Sequence, residues 1–480
     1  MRVSVVSSIV VAAMLVATWA WAPVDPGPDL VAIDVSHMAA LREGGLPVIW
    51  KGPGFLLARW DDDTQDAARS AGIPFEIIAG DATGDRSFFL FELHDGERLA
   101  DREQDVLFRH GRHVVMQMDP GEATAWSGGE HDGVFLDNMT EAWTPPNPPP
   151  VSVCDHHELT EEVLEQTSGA QWLDWVEKLS GVDPVAIGGV TAPILSRYTS
   201  TMFAEAAHAR GFDFAIKQAQ VWHYDGDNFE LHEFTGLNGQ RWTNLIVTIP
   251  GQTAPDEIVM FTAHLDSTNP GAPTRSPGAN DNGSGVATLF EAARLFRQLR
   301  FERTIKLAWF TGEEQGLLGS AAYVADHATD GIAGVVNLDT ISWDGDGDRC
   351  FEIHAGALEE SRDIGLCIQS MVTNYGLDLA SEILTTGATT ASDHASFWQA
   401  DVPAVLILEN FFDDQQPGGC DGGDANPWIH HVNDTIALNM TPTFGFDVAR
   451  AAIATVSTMA GPIETCFEEA PVLSATPGVS

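Results

Sequence analysis

His264 stands at the end of the apolar run 258–263, and Asp281 stands just ahead of an amphipathic stretch that opens near Ser284. Between them lies a loop rich in Gly, Pro and Asn. The run suits a strand buried on both faces, so an imidazole sits at a strand's exit and a carboxylate at a helix's start. Strand exits are where open α/β sheets bind ligands. One histidine so placed is most simply a packing or hydrogen-bonding residue. The pattern recurs, however. Run 304–311 leads into Gly312-Glu313-Glu314, run 334–338 ends at Asp339, and run 402–408 ends at Glu409. Helix caps and solvated turns account for any one of these carboxylates. Several of them beside buried strands are costly unless positive charge shares the space. A cluster of divalent cations accounts for the set.

These positions need a frame, and the chain supplies an alternating one. Strands are expected at 258–263, 304–311, 334–339, 351–355 and 402–408, and helices at 284–299, 317–328, 358–375 and 442–459. Such alternation implies an α/β fold with a mixed, mostly parallel central sheet flanked by helices. Upstream, 160–180 suits two short helices, and 198–210 suits an amphipathic helix ended by Gly211. Strands are expected around 214–222 and 244–249. Residues 23–143 carry short apolar runs with alternation and many aromatics, the mark of a small β-rich accessory or pro-domain. His110 and His113 within it read as surface residues. The run TPPNPPP at 144–150 is an extended linker. The organisation expected is a signal at 1–22, the β-rich domain at 23–143, the linker, a catalytic domain at 151–470 and a tail at 471–480.

Composition narrows the partners. The 480 residues carry a formal net charge of −45, which argues against nucleic acid and against anionic membrane surfaces. Lysine occurs only at 51, 178, 217 and 306; such an acidic surface suits salty surroundings or an ordinary acidic secreted protein. In the first 22 residues Arg2, the apolar core 3–16 and Ala20-Trp21-Ala22 read as a cleavable secretory signal, with an uncleaved anchor as the competing reading. No later segment is apolar enough to cross a bilayer, so the protein is expected to be secreted or periplasmic and off the membrane once cleaved. Export permits disulfides. Of the five cysteines, Cys350 with Cys367 and Cys154 with Cys466 are plausible pairs, and the odd count leaves one over.

Six blocks now stand in order: AHLDS at 263–267, GANDNGSG at 278–285, GEEQG at 312–316, NLD at 337–339, SDH at 392–394 and Ile429-His430. From about residue 159 to 457 the chain resembles the co-catalytic zinc aminopeptidases of the M28 metallopeptidase family; the resemblance does not reach 23–150. It implies two zinc ions at the carboxyl edge of the sheet, one bound by His264 and Asp339, the other by Glu314 and His430, with Asp281 bridging. Imidazole and carboxylate are ordinary zinc donors, and paired metals need a shared ligand. Asp266 is expected to orient His264, and Glu313 to act as general base toward the attacking water. The implied substrate is the N-terminus of a peptide or protein.

The chain departs from its relatives in two places. Where they carry a tyrosine shortly before the SDH block, this sequence has Thr389 and Thr390, which leaves the oxyanion donor open. An acidic, glycine-rich insert, 413–426, precedes His430, and Asp344, Asp346 and Asp348 alternate as in part of a calcium loop. In the wider clan an aspartate at the position of Asp339 accompanies aminopeptidases, and a glutamate accompanies carboxypeptidases. Ile429 and the pair Phe411-Phe412 point to an apolar pocket for the substrate's first side chain. Two other readings compete: a single-zinc glutaminyl-peptide cyclase, and a binding ectodomain of the same fold without activity.

Overall fold

The computed structural model describes residues 28–465 apart from 53, 81–85, 94–98, 100–101, 103–104, 120–121, 124–131, 137–153, 205–208, 328–329, 413–419 and 421. The expected signal, the linker 144–150, the tail and Cys466 lie outside the described residues, as does most of the insert 413–426.

The first eight strands make two small sheets. β1 (Asp29–Asp34), β2 (Trp50–Gly52), β3 (Phe55–Trp60) and β4 (Glu76–Ala79) pair in the order β2-β3-β1-β4. β5 (Ser87–Glu92), β6 (Val106–His110), β7 (His113–Met118) and β8 (Asp132–Phe135) pair as β6-β7-β5-β8. Successive strand residues point to opposite faces, and β5 is apolar on both. Phe88 and Leu90 join a core with Trp50 and Leu57, while Phe89 and Phe91 join Val114 and Met116. Neither core closes within the module. The first takes in Leu317, Ala321 and Ala395, and the second takes in Trp242 and Leu318.

After a short hairpin of β9 (Val185–Ile187) and β10 (Val190–Ala192) comes the central sheet. Its strands are β11 (Phe229–Thr235), β12 (Arg241–Ile249), β13 (Ala254–His264), β15 (Arg303–Phe310), β16 (Ile332–Leu338), β17 (Cys350–His354), β18 (Ala380–Leu384) and β19 (Ala404–Glu409), in the order β11-β12-β15-β13-β16-β19-β17-β18. β14 (Leu299–Phe301) pairs with β20 (Pro462–Thr465) at one side. The middle strands β15, β13, β16 and β19 run parallel, while β12 and β17 pair antiparallel to their inner neighbours. β16 is buried along its whole length, as its continuous apolar sequence requires. The helices Gly283–Phe296 and Pro442–Ala460 are buried nearly all round and fill the space over the sheet.

Four expectations are corrected. Residues 214–222 form no strand: 214–221 belong to the helix Arg210–Val221, with Trp222 at its C-terminal cap, and that helix buries Phe212, Ala215 and Ala219 at spacings of three and four. Gly211 ends nothing. It lies inside that helix, where an added Cβ would stand 3.0 Å from Arg197 Cγ. The helix before it is Thr199–Ala204. The disulfides join Cys154 to Cys367 and Cys350 to Cys420. β17 lies beside β19, so Cys350 meets the loop leaving β19 and not the helix Glu359–Asn374 that carries Cys367. His113 is buried, not a surface residue: it opens β7 against Glu92, 3.7 Å away, whereas His110 is exposed.

Candidate metal centre

The parallel register of β13 and β16 sets Thr262 beside Asn337, so the two chains leave the sheet together. His264 ends one strand and Asp339 follows the other, with His264 Nε2 3.0 Å from Asp339 Oδ1. Asp281 reaches between the next two donors. Its Oδ1 lies 3.3 Å from His264 Nε2, and its Oδ2 lies 3.2 Å from His430 Nε2. Glu314 Oε2 stands 3.3 Å from the same His430 nitrogen. The result is two donor groups, His264–Asp281–Asp339 and Asp281–Glu314–His430, each with its ligand atoms within 4.8 Å of one another. Asp281 belongs to both.

Local structure fixes each donor. Asn282 caps the helix Gly283–Phe296 by accepting from Gly285 N at 3.0 Å, and it donates to Leu338 O at 2.6 Å. A Cβ on Gly285 would stand 2.3 Å from the Asn282 carbonyl oxygen, so this cap requires glycine there. Asp281 N donates to Asp434 Oδ2 at 2.9 Å. Asp339 is held by a relay in which Ser392 Oγ donates to Oδ2 at 2.6 Å, Asn337 Nδ2 donates to Ser392 at 2.9 Å, and Thr262 donates to Asn337 at 2.7 Å. Asp266 faces His264 across 3.5 Å, Oδ1 to Nδ1, and its other oxygen accepts from Thr199 and Gly312 N. His430 has a left-handed backbone, with φ of 53°, a conformation few non-glycine residues take up.

Glu313 joins neither donor group. Its Oε2 lies 4.0 Å from His264 Nε2, and it faces a cleft of about 450 Å³ lined also by Asp339, Thr389, Leu406, Leu408, Phe411, Phe412, Ile429 and His430. Glu409, the fourth strand-end carboxylate, stays out of the centre. It is fully buried and accepts from Asn280, Ser342 N, Trp343 N and Asn426, so its role is to tie loops together. The Asp344–Asp346–Asp348 row also gathers within 4.8 Å. Its oxygens accept from Arg349 N, Asp348 N and Cys350 N.

The electrostatics calls for cations. Burial raises the pKa of Glu313 well above the carboxylate range, with Asp339, Asp393 and Glu314 adding to it against the pull of His264. Burial and the Asp281 charge do the same to Glu314. Burial lifts Asp393 to about 7, and burial with Asp281 lifts Asp434 to about 7. Burial opposes a charge on His264, yet Asp339 and Glu313 outweigh it and raise the imidazole. So many buried carboxylates can ionise together only beside positive charge. Zinc fits the donor set: neutral imidazole and carboxylate oxygens are its usual ligands, and Glu314 Oε1 is buried without a hydrogen-bond partner. His264, Asp281 and Asp339 would hold one ion, and Asp281, Glu314 and His430 the other.

Two supporting residues escaped the sequence reading. Asp434 binds the backbone N–H groups of Asn280 and Asp281. Arg197, fully buried, donates to four carbonyls, those of Leu179, Leu265, Pro277 and Gly278, and so ties the chain after His264 to the chain before Asp281. The proximity of Asp434 to His430 in sequence was the one available hint. Arg197 offered none.

Comparison with known proteins finds the same α/β fold. The aminopeptidase LapA of Legionella pneumophila superposes with a TM-score of 0.60 over 79% of this chain and 99% of that chain. LapB of the same organism gives 0.50 over 88% and 98%. At 18% and 16% identity these likenesses speak for the fold alone. Residues 244–454 match the model of peptidase family M28. A probable leucine aminopeptidase of Trichophyton verrucosum is 32% identical over 204 residues, 40% of this chain and 51% of its own length. Leucine aminopeptidase 1 of Coccidioides posadasii is 30% identical over 233 residues, 44% and 56%. The chain thus spans about half the length of the curated relatives it matches.

Proposed function

We propose that the protein is a secreted two-zinc aminopeptidase that removes N-terminal residues, preferably apolar ones, from peptides. One observation carries the reading: two complete donor groups share Asp281, which turns one oxygen to each. Bound there, zinc would polarise the scissile carbonyl and acidify a water. The chain's own residues do the rest. Glu313, outside both groups and facing the cleft, accepts a proton from the attacking water and returns it to the leaving amine. Asp266 keeps the His264 ring in place through Nδ1, so that Nε2 faces the donors. Thr389 stands where relatives have their tyrosine, but its hydroxyl donates to Glu92 at 2.9 Å and is given no part in the reaction.

The aliphatic and aromatic lining of the cleft supports a preference for Leu, Met or Phe. Two disulfides support an oxidising compartment, and no helix among the described residues is long and apolar enough to cross a membrane. Calcium at Asp344, Asp346 and Asp348 has thinner support, since backbone N–H groups already engage those carboxylates. The test is hydrolysis of aminoacyl amides after chelation and after zinc is returned. Chelation should abolish the rate and zinc should restore it. Full activity in metal-free protein refutes the proposal, and one zinc per chain with cyclisation of N-terminal glutamine would favour the cyclase reading.

A further inference from the structure

Glu92 closes β5 in the N-terminal module, yet its carboxylate is buried against a loop of the larger domain. Oε2 accepts from Thr389 Oγ1 at 2.9 Å and from Thr390 N at 3.1 Å, across a sequence separation of almost three hundred residues. Oε1 pairs with Arg112 at 2.7 Å. Arg112 also donates to Gly387 O at 3.3 Å and lays its guanidinium 5.2 Å from the centre of the Phe412 ring. Thr389 and Phe412 both line the cleft.

The larger domain grips the same two residues from behind. Thr389 N donates to His354 Nδ1 at 3.0 Å, and His394 Nε2 donates to Thr389 O at 3.0 Å. Phe412 N donates to Glu352 Oε1 at 2.7 Å, and its ring meets His354 edge-on. Each cleft residue is thus held between a partner in the domain and one in the module. A buried carboxylate is tolerable only with its charge and lone pairs met, and half of what meets those of Glu92 belongs to the cleft loop.

A segment destined for removal would not be built in this way. Taking it off would strip Glu92 from Thr389 and bare Trp242, Leu318 and Ala395, which share its cores. It would also break the Lys51–Asp401 ion pair, at 2.7 Å. We infer that the N-terminal module is a permanent buttress behind the substrate cleft, and that Glu92 and Arg112 are positioning residues whose hold on Thr389 and Phe412 sets which N-terminal side chain the cleft accepts. The inference rests on the aminopeptidase reading above. Neither residue belongs to a donor group, so zinc content is independent of both.

The test uses the full-length zinc-loaded protein and its Glu92→Gln, Arg112→Met and Arg112→Lys variants, with kcat and KM measured on alanyl, leucyl and phenylalanyl amides. KM for the phenylalanyl and leucyl amides should rise roughly 10-fold relative to the alanyl amide in Glu92→Gln and Arg112→Met, the effect of losing a charge-assisted hydrogen bond. Zinc per chain should stay that of the wild type, and Arg112→Lys should recover part of the selectivity. Should Glu92→Gln fail to fold, the pair of variants at the partly exposed Arg112 decides. Unchanged selectivity overturns the inference, and so does a uniform loss on all three amides, which marks a merely structural role. A wild-type protein inactive on all three refutes the aminopeptidase reading first and this inference with it.

Discussion

Removing the acid at Asp434 should shift the stability of the chelated protein in the variant's favour as the pH rises. Asp434 is fully buried, with a pKa lifted by burial and by the Asp281 charge from 3.8 to about 7. Its folded form therefore holds a proton that its unfolded form releases, so the stability it provides is complete below 3.8 and lost as pH rises through 7. Each pKa unit is worth about 1.4 kcal/mol. Over the full interval the loss is about 4 kcal/mol, of which about 3 kcal/mol falls between pH 5 and pH 8. Asn at this position cannot ionise. It also gives up one acceptor among those serving Asn280 N, Asp281 N and Asn439, a cost that does not vary with pH. Urea unfolding of chelated wild type and Asp434→Asn at the two pH values separates the contributions. The stability difference should move by about 3 kcal/mol in favour of the variant on going to pH 8, and zinc should shrink that movement by supplying the missing positive charge. A difference constant to within about 1 kcal/mol would show that the buried carboxylates are not strained in the way described.

Three further outcomes are expected. Asp266→Asn should lower zinc affinity roughly 10–100-fold, the usual effect of losing a partner behind a metal-binding histidine, measured by chelator competition; unchanged affinity removes Asp266 from that role. Peptide mapping without reduction should find Cys154 joined to Cys367 and Cys350 to Cys420, and a Cys154–Cys466 peptide would contradict the fold. kcat/KM should favour leucyl and phenylalanyl over aspartyl and glutamyl amides, because the cleft is apolar and the protein's net charge of −45 repels acidic substrates. A preference for acidic residues would refute both arguments.

Four of the five candidate donors stood out in sequence because they lie within a few residues of a buried strand's end or a helix's start, where an ionisable side chain is conspicuous after an apolar run. His264 ends β13, Glu314 and Asp339 follow β15 and β16, and Asp281 precedes a helix; Glu313, outside the donor groups, stood out in the same way. His430 and the assignment of every donor to a metal came from the family resemblance, because a loop residue carries no such signal. The helix Arg210–Val221 was mistaken for a strand since Phe212, Phe214 and Ala215 satisfy both periods over so short a span. Glu92 and Arg197 stayed invisible for another reason. Their partners are Thr389, Thr390 and four backbone carbonyls distant in sequence, and one sequence does not show which distant segments meet. The lone reading of His113 as a surface residue failed on the same ground.

Adjacent carboxylates with opposite assignments give the most direct test of the centre. Zinc per chain and kcat should be measured together on wild type, Glu313→Gln and Glu314→Gln. Glu313 lies outside both donor groups and Glu314 inside one, so Glu313→Gln should keep its zinc and lose roughly 10²–10⁴-fold in kcat with little change in substrate binding. Glu314→Gln should lose metal as well as rate. If Glu313→Gln loses zinc while Glu314→Gln keeps it, the two roles are exchanged; if both variants keep metal and rate, the reaction is carried out elsewhere and the account is wrong.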